Sequence, residues 1–317
     1  MIPERFAPVL AEVAEIGALF ANAGHRLYLV GGTVRDLLAG DTVDALDFDA
    51  TTDARPDVIK RIVSGWADAV WTQGERFGTI GARKGDRVYE ITTHRAEAYH
   101  EDSRKPDVEF SDSIEADLSR RDFTINAMAL EVTTNAPVLV YPYNGAVDLV
   151  TRTLRTPLDP RISFSDDPLR MMRAARFIAR LGMTPVPELM TAVRDMADRL
   201  AIVSAERIRD ELDKLIVVES PTAGLWFLVD TGLADHFLPE LPAMRLENDP
   251  IHRHKDVLTH TLAVIENVRR DAHPTPTSTS DSRVSPRCST TSASPSRAVS
   301  RKARALPSTC TTSRAPR

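Results

Sequence analysis

The stretch that most constrains this chain is residues 27–53, LYLVGGTVRDLLAGDTVDALDFDATTD. Leu27 to Val30 is an apolar run of the length of a short buried strand. Gly31 and Gly32 follow, and then a short helical pattern carries Arg35 and Asp36. A second short strand is predicted to end in Asp47-Phe48-Asp49. Residues two apart in a strand point to one face, so Asp47 and Asp49 aim two carboxylates at one spot. A glycine turn at a helix start presents backbone N–H groups to phosphate. A hard divalent cation takes carboxylate and phosphate oxygens. An acidic pair alone also suits a solvated turn, and Asp41, Asp44 and Asp53 lie nearby. The order strand, Gly-Gly, helix, strand, Asp-x-Asp points instead to a metal–nucleotide site.

The length of 317 residues suffices for two domains and a sizeable core. No apolar run approaches a membrane span, and the N-terminus lacks a basic region followed by an apolar core. A cytoplasmic protein is expected. Both cysteines, Cys288 and Cys310, fall in the tail, which excludes a disulfide framework and a cysteine-based zinc site. The net charge of −5 is unevenly spread: the first 270 residues carry 32 basic and 43 acidic side chains. Bulk charge therefore does not favour nucleic acid, and any RNA contact must come from local basic patches.

Phe6, Val9, Leu10, Val13, Ile16, Leu19 and Phe20 recur at helical spacing and predict an amphipathic helix over 3–23. A helix is expected over 55–63. Strands are expected over 79–83 and 87–93 around a Lys84-Gly85-Asp86 turn, and a further helix over 118–128. From Pro168 to Ile265 strand signals stop, and helices are predicted over 168–181, 187–200, 205–217, 222–229 and 257–268. This is an α+β front followed by an all-helical part, with the boundary near 150–165. The tail after about Ala272 is rich in Ser, Thr, Pro and Arg and has almost no apolar periodicity, so it is expected to be disordered.

Three further stretches carry chemistry. In Tyr89-Glu90-Ile91, Glu90 interrupts a buried-strand pattern and is a candidate third acid beside Asp47 and Asp49. An edge-strand carboxylate facing water is the plainer alternative. In SRRDFTINAM, Arg121, Asp122 and Asn126 are the polar positions; arginine can bind phosphate and aspartate can accept from a ribose hydroxyl. In DDPLRMMRAARF, Asp166 or Asp167 suits a helix N-cap before Pro168. Arg170, Arg173 and Arg176 then drift slowly around one helix face. That pattern fits a solvated basic face, or an Asp–Arg pair reading base edges with further arginines on phosphates.

Together, GGTVRD, DFDATTDARP, RFGTIGA, YEITTHR, DLSRRDFTINAMAL, YPYNGAVDL, DDPLRMMRAARF and SAERIRDEL resemble, in this order, the class II tRNA nucleotidyltransferases, the CCA-adding enzymes. The same family includes bacterial poly(A) polymerases. The resemblance covers about residues 25–270. It implies a polymerase-β-like nucleotidyltransferase head of mixed sheet and helices over 1–155. A helical neck and body over 156–270 and a tail over 271–317 complete the expected organisation. It implies catalytic aspartates at Asp47 and Asp49 and a nucleotide cradle at Gly31, Gly32, Arg35, Arg121, Asp122 and Asn126. It places base templating at Asp167 and Arg170, with Arg173 and Arg176 as further nucleotide contacts, and a flexible connector over 143–155. The implied cofactor is Mg²⁺, two ions, with Mn²⁺ able to substitute. The implied partners are CTP, ATP and the tRNA 3′ end, and the implied reaction is template-independent CCA addition that releases pyrophosphate. A poly(A) polymerase, a small-molecule nucleotidyltransferase and an inactive RNA-binding fragment are the competing readings.

His252-Arg253-His254-Lys255-Asp256 to His260 resembles the opening of an HD domain, whose later His-Asp doublet this chain lacks. In one codon choice for residues 281–294, a frame displaced by two nucleotides spells Leu-Pro-Arg-Leu-Ala-Ala-Leu-Leu-His-Asp-Ile-Gly-Lys, an amphipathic helix ending in that doublet. The tail is therefore read as an out-of-frame translation of a truncated domain. Resequencing the gene across the codons for residues 271–277 decides this. No metal is assigned to His260, and oligomeric state is not legible.

Overall fold

The computed structural model describes residues 3–41, 47–98, 107–134, 136–246 and 257–272. The HD-like opening at 252–256 and the tail beyond 272 lie outside the described residues. His260 is described, on the surface of a helix.

Helix α1 (Ala7–Asn22) buries Val9, Val13, Ile16 and Phe20, the stripe its periodicity predicts. It packs over a mixed sheet whose strands run β3-β4-β5-β2-β1-β8-β9. These are β1 (Leu27–Val30), β2 (Asp47–Thr52), β3 (Ala69–Trp71), β4 (Thr79–Lys84), β5 (Arg87–Thr93), β8 (Ala129–Glu131) and β9 (Leu139–Val140). A separate antiparallel pair, β6 (Arg95–Ala98) and β7 (Asp107–Phe110), extends from β5. Helices α2 (Gly32–Ala39) and α3 (Pro56–Ser64) join the strands. β1 pairs antiparallel with both β2 and β8, whereas β2 pairs parallel with β5. β4 and β5 form the expected hairpin, closed by Lys84 opposite Arg87. Gly85 adopts a positive φ of 58° in that turn.

Two expectations need correction. The second strand does not end at Asp47-Phe48-Asp49; it begins there and runs on to Thr52. The β-branched Thr51 and Thr52 continue the pleat, both fully buried. The helix expected over 118–128 does not form. Helix α4 (Ile114–Ser119) stops, a 3-10 turn spans Thr124–Asn126, and β8 follows at once. The Asp122 carboxylate accepts from the Phe123 N–H at 2.8 Å and from Asn126 Nδ2 at 3.0 Å. The Thr124 N–H donates to the Arg155 carbonyl at 2.9 Å. Side-chain and long-range partners thus take the groups that a helix would pair internally.

The helical region contains α5 (Gly145–Thr151), α6 (Pro160–Asp166), α7 (Leu169–Leu181), α8 (Pro187–Met196), α9 (Ala205–Ile216), α10 (Thr222–Asp230), α11 (Glu240–Ala243) and α12 (Val257–Ala272). Each helical pattern expected after Pro168 forms. One pair of two-residue strands, β10 (Thr153–Leu154) and β11 (Thr184–Pro185), interrupts the all-helical expectation. It pins the start of this region to the loop after α7.

One hydrophobic core lies between α1, α2, α3 and the sheet, around Leu27, Leu29, Phe48 and Ile91. Another lies among α6 to α12, around Phe164, Met172, Leu189 and Leu228. Phe123 and Ile125, from the turn before β8, are fully buried in this second core. The turn that replaced the expected helix therefore ties the sheet to the helices. Among the described residues no helix is long and apolar enough to cross a membrane.

Candidate active site

Antiparallel pairing of β1 with β2 sets Leu29 opposite Ala50, so the end of β1 meets the start of β2. The chain leaves β1 through Gly31, whose φ of 71° and ψ of −133° exclude a side chain, and enters α2 at Gly32. A Cβ on Gly31 would sit 3.6 Å from Arg121 Nη1 and 3.8 Å from Asp49 Oδ2. A guanidinium and a carboxylate thus both lie against the Gly31 turn. Asp47 and Asp49 are exposed, while Phe48 and Ala50 between and after them are buried, as strand alternation requires.

Parallel pairing of β2 with β5 places Glu90 directly opposite Asp49. Neighbouring residues in register share a face of the sheet, so Glu90 faces the same cleft as both aspartates. Asp49 keeps open surface toward the cleft, yet protein on its other sides desolvates it and pushes its carboxyl above the usual range. The Arg121 charge opposes that shift and Asp47 adds to it. Glu90 is raised by partial burial and then by the charges of Asp49 and Asp47. Carboxylates that raise one another's pKa in this way carry a repulsion that a nearby hard cation relieves. Among the described residues no three His, Cys, Asp or Glu side chains converge on one ion position. The pair Asp47 and Asp49 therefore fits a divalent ion whose remaining ligands come from a bound phosphate.

A second polar cluster lies where α2 meets α7. Arg35 is 4% exposed; its Nε donates to Asp36 and its Nη1 to Asn126 Oδ1, both at 2.7 Å. Burial lowers its basicity, while Asp36 opposes the shift. Asn126 donates onward to Asp122, and Arg173 closes on the other Asp122 oxygen, with Nε at 2.8 Å. Arg176 Nε reaches Glu211 Oε2 at 2.8 Å, and Arg173 Nη1 lies 3.7 Å from Glu211 Oε1. Phe177 sits amid this cluster, with the guanidinium carbons of Arg35, Arg173 and Arg176 at 5.4, 5.7 and 4.6 Å from its ring centre. Such contacts favour cations over the ring face.

The start of α7 carries the remaining pair. Asp167 Oδ1 accepts from the Leu169 N–H at 3.2 Å, and its Oδ2 accepts from Arg207 Nη2 at 2.8 Å. Arg170 donates Nη1 to Ser163 Oγ at 2.9 Å and Nη2 to the Arg120 carbonyl at 2.6 Å.

The named side chains thus fall into three groups, of which Asp167 and Arg170 are one. Gly31, Asp47, Asp49, Glu90 and Arg121 line one cleft. Arg35, Asn126, Asp122, Arg173 and Arg176 form a largely buried network behind it. Asp122 accepts from the Phe123 N–H, from Asn126 and twice from Arg173. Those bonds use the lone-pair sites of a carboxylate, so Asp122 acts as scaffold.

Residues 27–155 match the model of the poly A polymerase head domain. Residues 182–244 match a model described as the probable RNA- and SrmB-binding site of polymerase A. The CCA-adding enzyme of Levilactobacillus brevis is 38% identical over 236 residues, spanning 73% of this chain and 55% of the relative. The chain carries a poly A polymerase head domain. The CCA-adding enzyme of Bacillus subtilis is 39% identical over 225 residues, 71% of this chain and 53% of that protein. Among solved structures, the Bacillus stearothermophilus CCA-adding enzyme in complex with CTP superposes with a TM-score of 0.61 at 33% identity. The match spans 73% of this chain and 53% of that one. The chain spans about half the length of the family members it matches.

Several residues of this family head and its helices escaped the sequence reading. Glu211, 4% exposed, sits in a helix so charged that it reads as a solvated face. Asp117, Arg207 and Phe177 were likewise unassigned. Their partners lie far off in sequence, Asp167 at 40 residues from Arg207 and Arg35 farther still from Phe177, or depend on burial, which spacing does not reveal.

Proposed function

We propose that this chain adds C and A nucleotides from CTP and ATP to the 3′ end of tRNA without a nucleic-acid template, releasing pyrophosphate. In this reading residues 1–155 are the catalytic head and residues 156–270 bind the base and the RNA. The observation that carries the reading is the Arg120-Arg121 step. Arg121 faces Gly31 and Asp49, while the carbonyl of Arg120 receives Arg170 from the start of α7. A phosphate-and-metal cleft and a base-reading helix are thereby built on one peptide.

Asp47 and Asp49 would hold divalent ions, two Mg²⁺ in this reading, which would neutralise phosphate charge and lower the pKa of the attacking hydroxyl. Glu90 adds a third negative charge beside them. The Gly31-Gly32 turn brings backbone N–H groups at the start of α2 to the triphosphate, and Arg121 supplies positive charge beside the turn. The 3′-hydroxyl attacks the α-phosphate in line and pyrophosphate leaves; the protein mainly positions groups and stabilises charge. Asp167 accepts the exocyclic amine of C or A once Arg207 gives way, and Arg170 donates to the base edge. A carboxylate cannot accept from the carbonyl that G or U presents there, so those bases are rejected.

The direct test incubates the chain with Mg²⁺, labelled CTP and ATP, and tRNA that ends before CCA. Addition of both nucleotides is expected. Extension with ATP alone would favour a poly(A) polymerase, and no extension would remove the reading. In the same assay Asp167→Ala is expected to cut the preference for CTP and ATP over GTP and UTP by about ten- to hundredfold, the worth of one good base contact. An unchanged preference would take the templating role from Asp167.

A further inference from the structure

Asp117 lies near the end of α4 with no exposed surface. Its Oδ1 accepts from Arg120 Nε at 3.1 Å, from Arg120 Nη2 at 2.7 Å and from the Arg95 N–H at 3.3 Å. Its Oδ2 accepts from Arg121 Nη2 at 3.1 Å. Burial alone would raise this carboxyl, but the Arg121 and Arg120 guanidiniums override it and hold it well below the usual carboxylate range. Neither family resemblance nor sequence spacing assigned it a part in the reaction.

One buried carboxylate thus holds two guanidiniums. Of these, Arg121 also reaches the cleft, because its Nη1 lies beside the Gly31 turn. Arg121 and Asp49 both lie against that turn, and the Arg121 charge lowers the Asp49 pKa, yet the ion pair of Arg121 is with Asp117. Asp117 also grips the side chain of Arg120, whose carbonyl receives Arg170.

We propose that Asp117 is a positioning residue for the nucleotide cleft: it fixes Arg121 for the triphosphate, keeps that guanidinium off Asp49, and steadies the Arg120 carbonyl beneath Arg170. The inference rests on the cleft being the nucleotide site. Without the Asp117 charge, the nearest carboxylate open to Arg121 is Asp49. Pairing there would place a fixed cation on the oxygen that a divalent ion needs and would draw the guanidinium away from the phosphates. A charge-assisted bond lost at a phosphate-binding arginine corresponds to about a ten- to hundredfold loss of affinity.

The test is a double-mutant cycle read by calorimetric binding of CTP, with Ca²⁺ present, to the full chain, Asp117→Asn, Arg121→Ala and the double variant. Asp117→Asn is expected to weaken CTP about ten- to hundredfold, and the double variant to bind no worse than Arg121→Ala alone. Unchanged affinity in Asp117→Asn, or losses that add in the double variant, would overturn the positioning role and leave the nucleotide-site reading standing. Wild-type chain that binds neither CTP nor ATP would overturn both. Should Asp117→Asn fail to fold, the arginine side-chain ¹⁵N spectrum of nucleotide-free wild-type protein decides: slowed rotation of the Arg121 guanidinium is expected, and free rotation sinks the proposal.

Discussion

Replacing Asp47 and Asp49 together by alanine is expected to lower nucleotide incorporation by about 10³-fold or more, since on the proposed function stabilisation of phosphate charge by bound metal is worth several kcal/mol. The same variant is expected to fold, with a melting temperature equal to or above that of the wild type. Both outcomes come from the geometry of β2. The two side chains stand on its open face, away from the core that holds Phe48 and Ala50. Asp49 and Glu90 have raised folded-state pKa values, first through burial and then through neighbouring negative charge. A carboxyl raised on folding contributes stability below its unfolded pKa and loses that contribution as pH rises through the folded value. At neutral pH these carboxylates therefore destabilise the fold, as functional sites commonly do. Mg²⁺ should raise the melting temperature of the wild type and leave the double variant unmoved. A variant with full activity, or one stabilised by Mg²⁺ as the wild type is, would remove Asp47 and Asp49 as the metal carboxylates.

Asp122→Ala should cost about 3–5 kcal/mol, the range for breaking a buried ion pair. At about 2 °C per kcal/mol for a chain of this size, that is roughly 6–10 °C in melting temperature. Asp122 is 8% exposed and accepts from the Phe123 N–H, Asn126 and Arg173. Its removal leaves Arg173 with Glu211 as its ion-pair partner and frees the turn that carries Phe123 and Ile125 into the helical core. Burial raises the Asp122 carboxyl, but Arg173, Asn126 and the Phe123 N–H together bring it below the usual range. Its stabilisation is therefore present above the unfolded carboxylate value and is lost as pH falls through the folded one. In thermal melts across acid pH, Asp122→Ala should lack the part of the decline that this group causes. A melting temperature within a degree of wild type at neutral pH would show that the two regions do not depend on it.

Much of the cleft was legible in the chain because its pieces are local. The apolar run of β1, the Gly31-Gly32 turn and the alternation around Asp47 and Asp49 follow from strand period and glycine geometry. The hairpin carrying Glu90 follows from its turn residues. The network behind the cleft was not legible. Asp122 to Arg173 is a separation of 51 residues, and Arg35 to Asn126 one of 91. Nothing in the spacing of SRRDFTINAM says that Asp122 spends its oxygens inside the protein. The same contacts explain why the helix expected over 118–128 does not form: tertiary partners outbid a weak local preference.

The sequence by itself determined the α+β head, the helical region after Pro168 and the residue types gathered around the Gly31 turn, since periodicity and turn chemistry act over a few residues. Only the tertiary structure decided which charges face the cleft and which hold it up. That division depends on burial, because a carboxylate or guanidinium taken out of water must find its partner wherever in the chain the fold brings one. Arg121 therefore turns one nitrogen to Asp117 and another to the Gly31 turn, while Arg35, Arg173 and Arg176 close on Asp36, Asp122, Asn126 and Glu211.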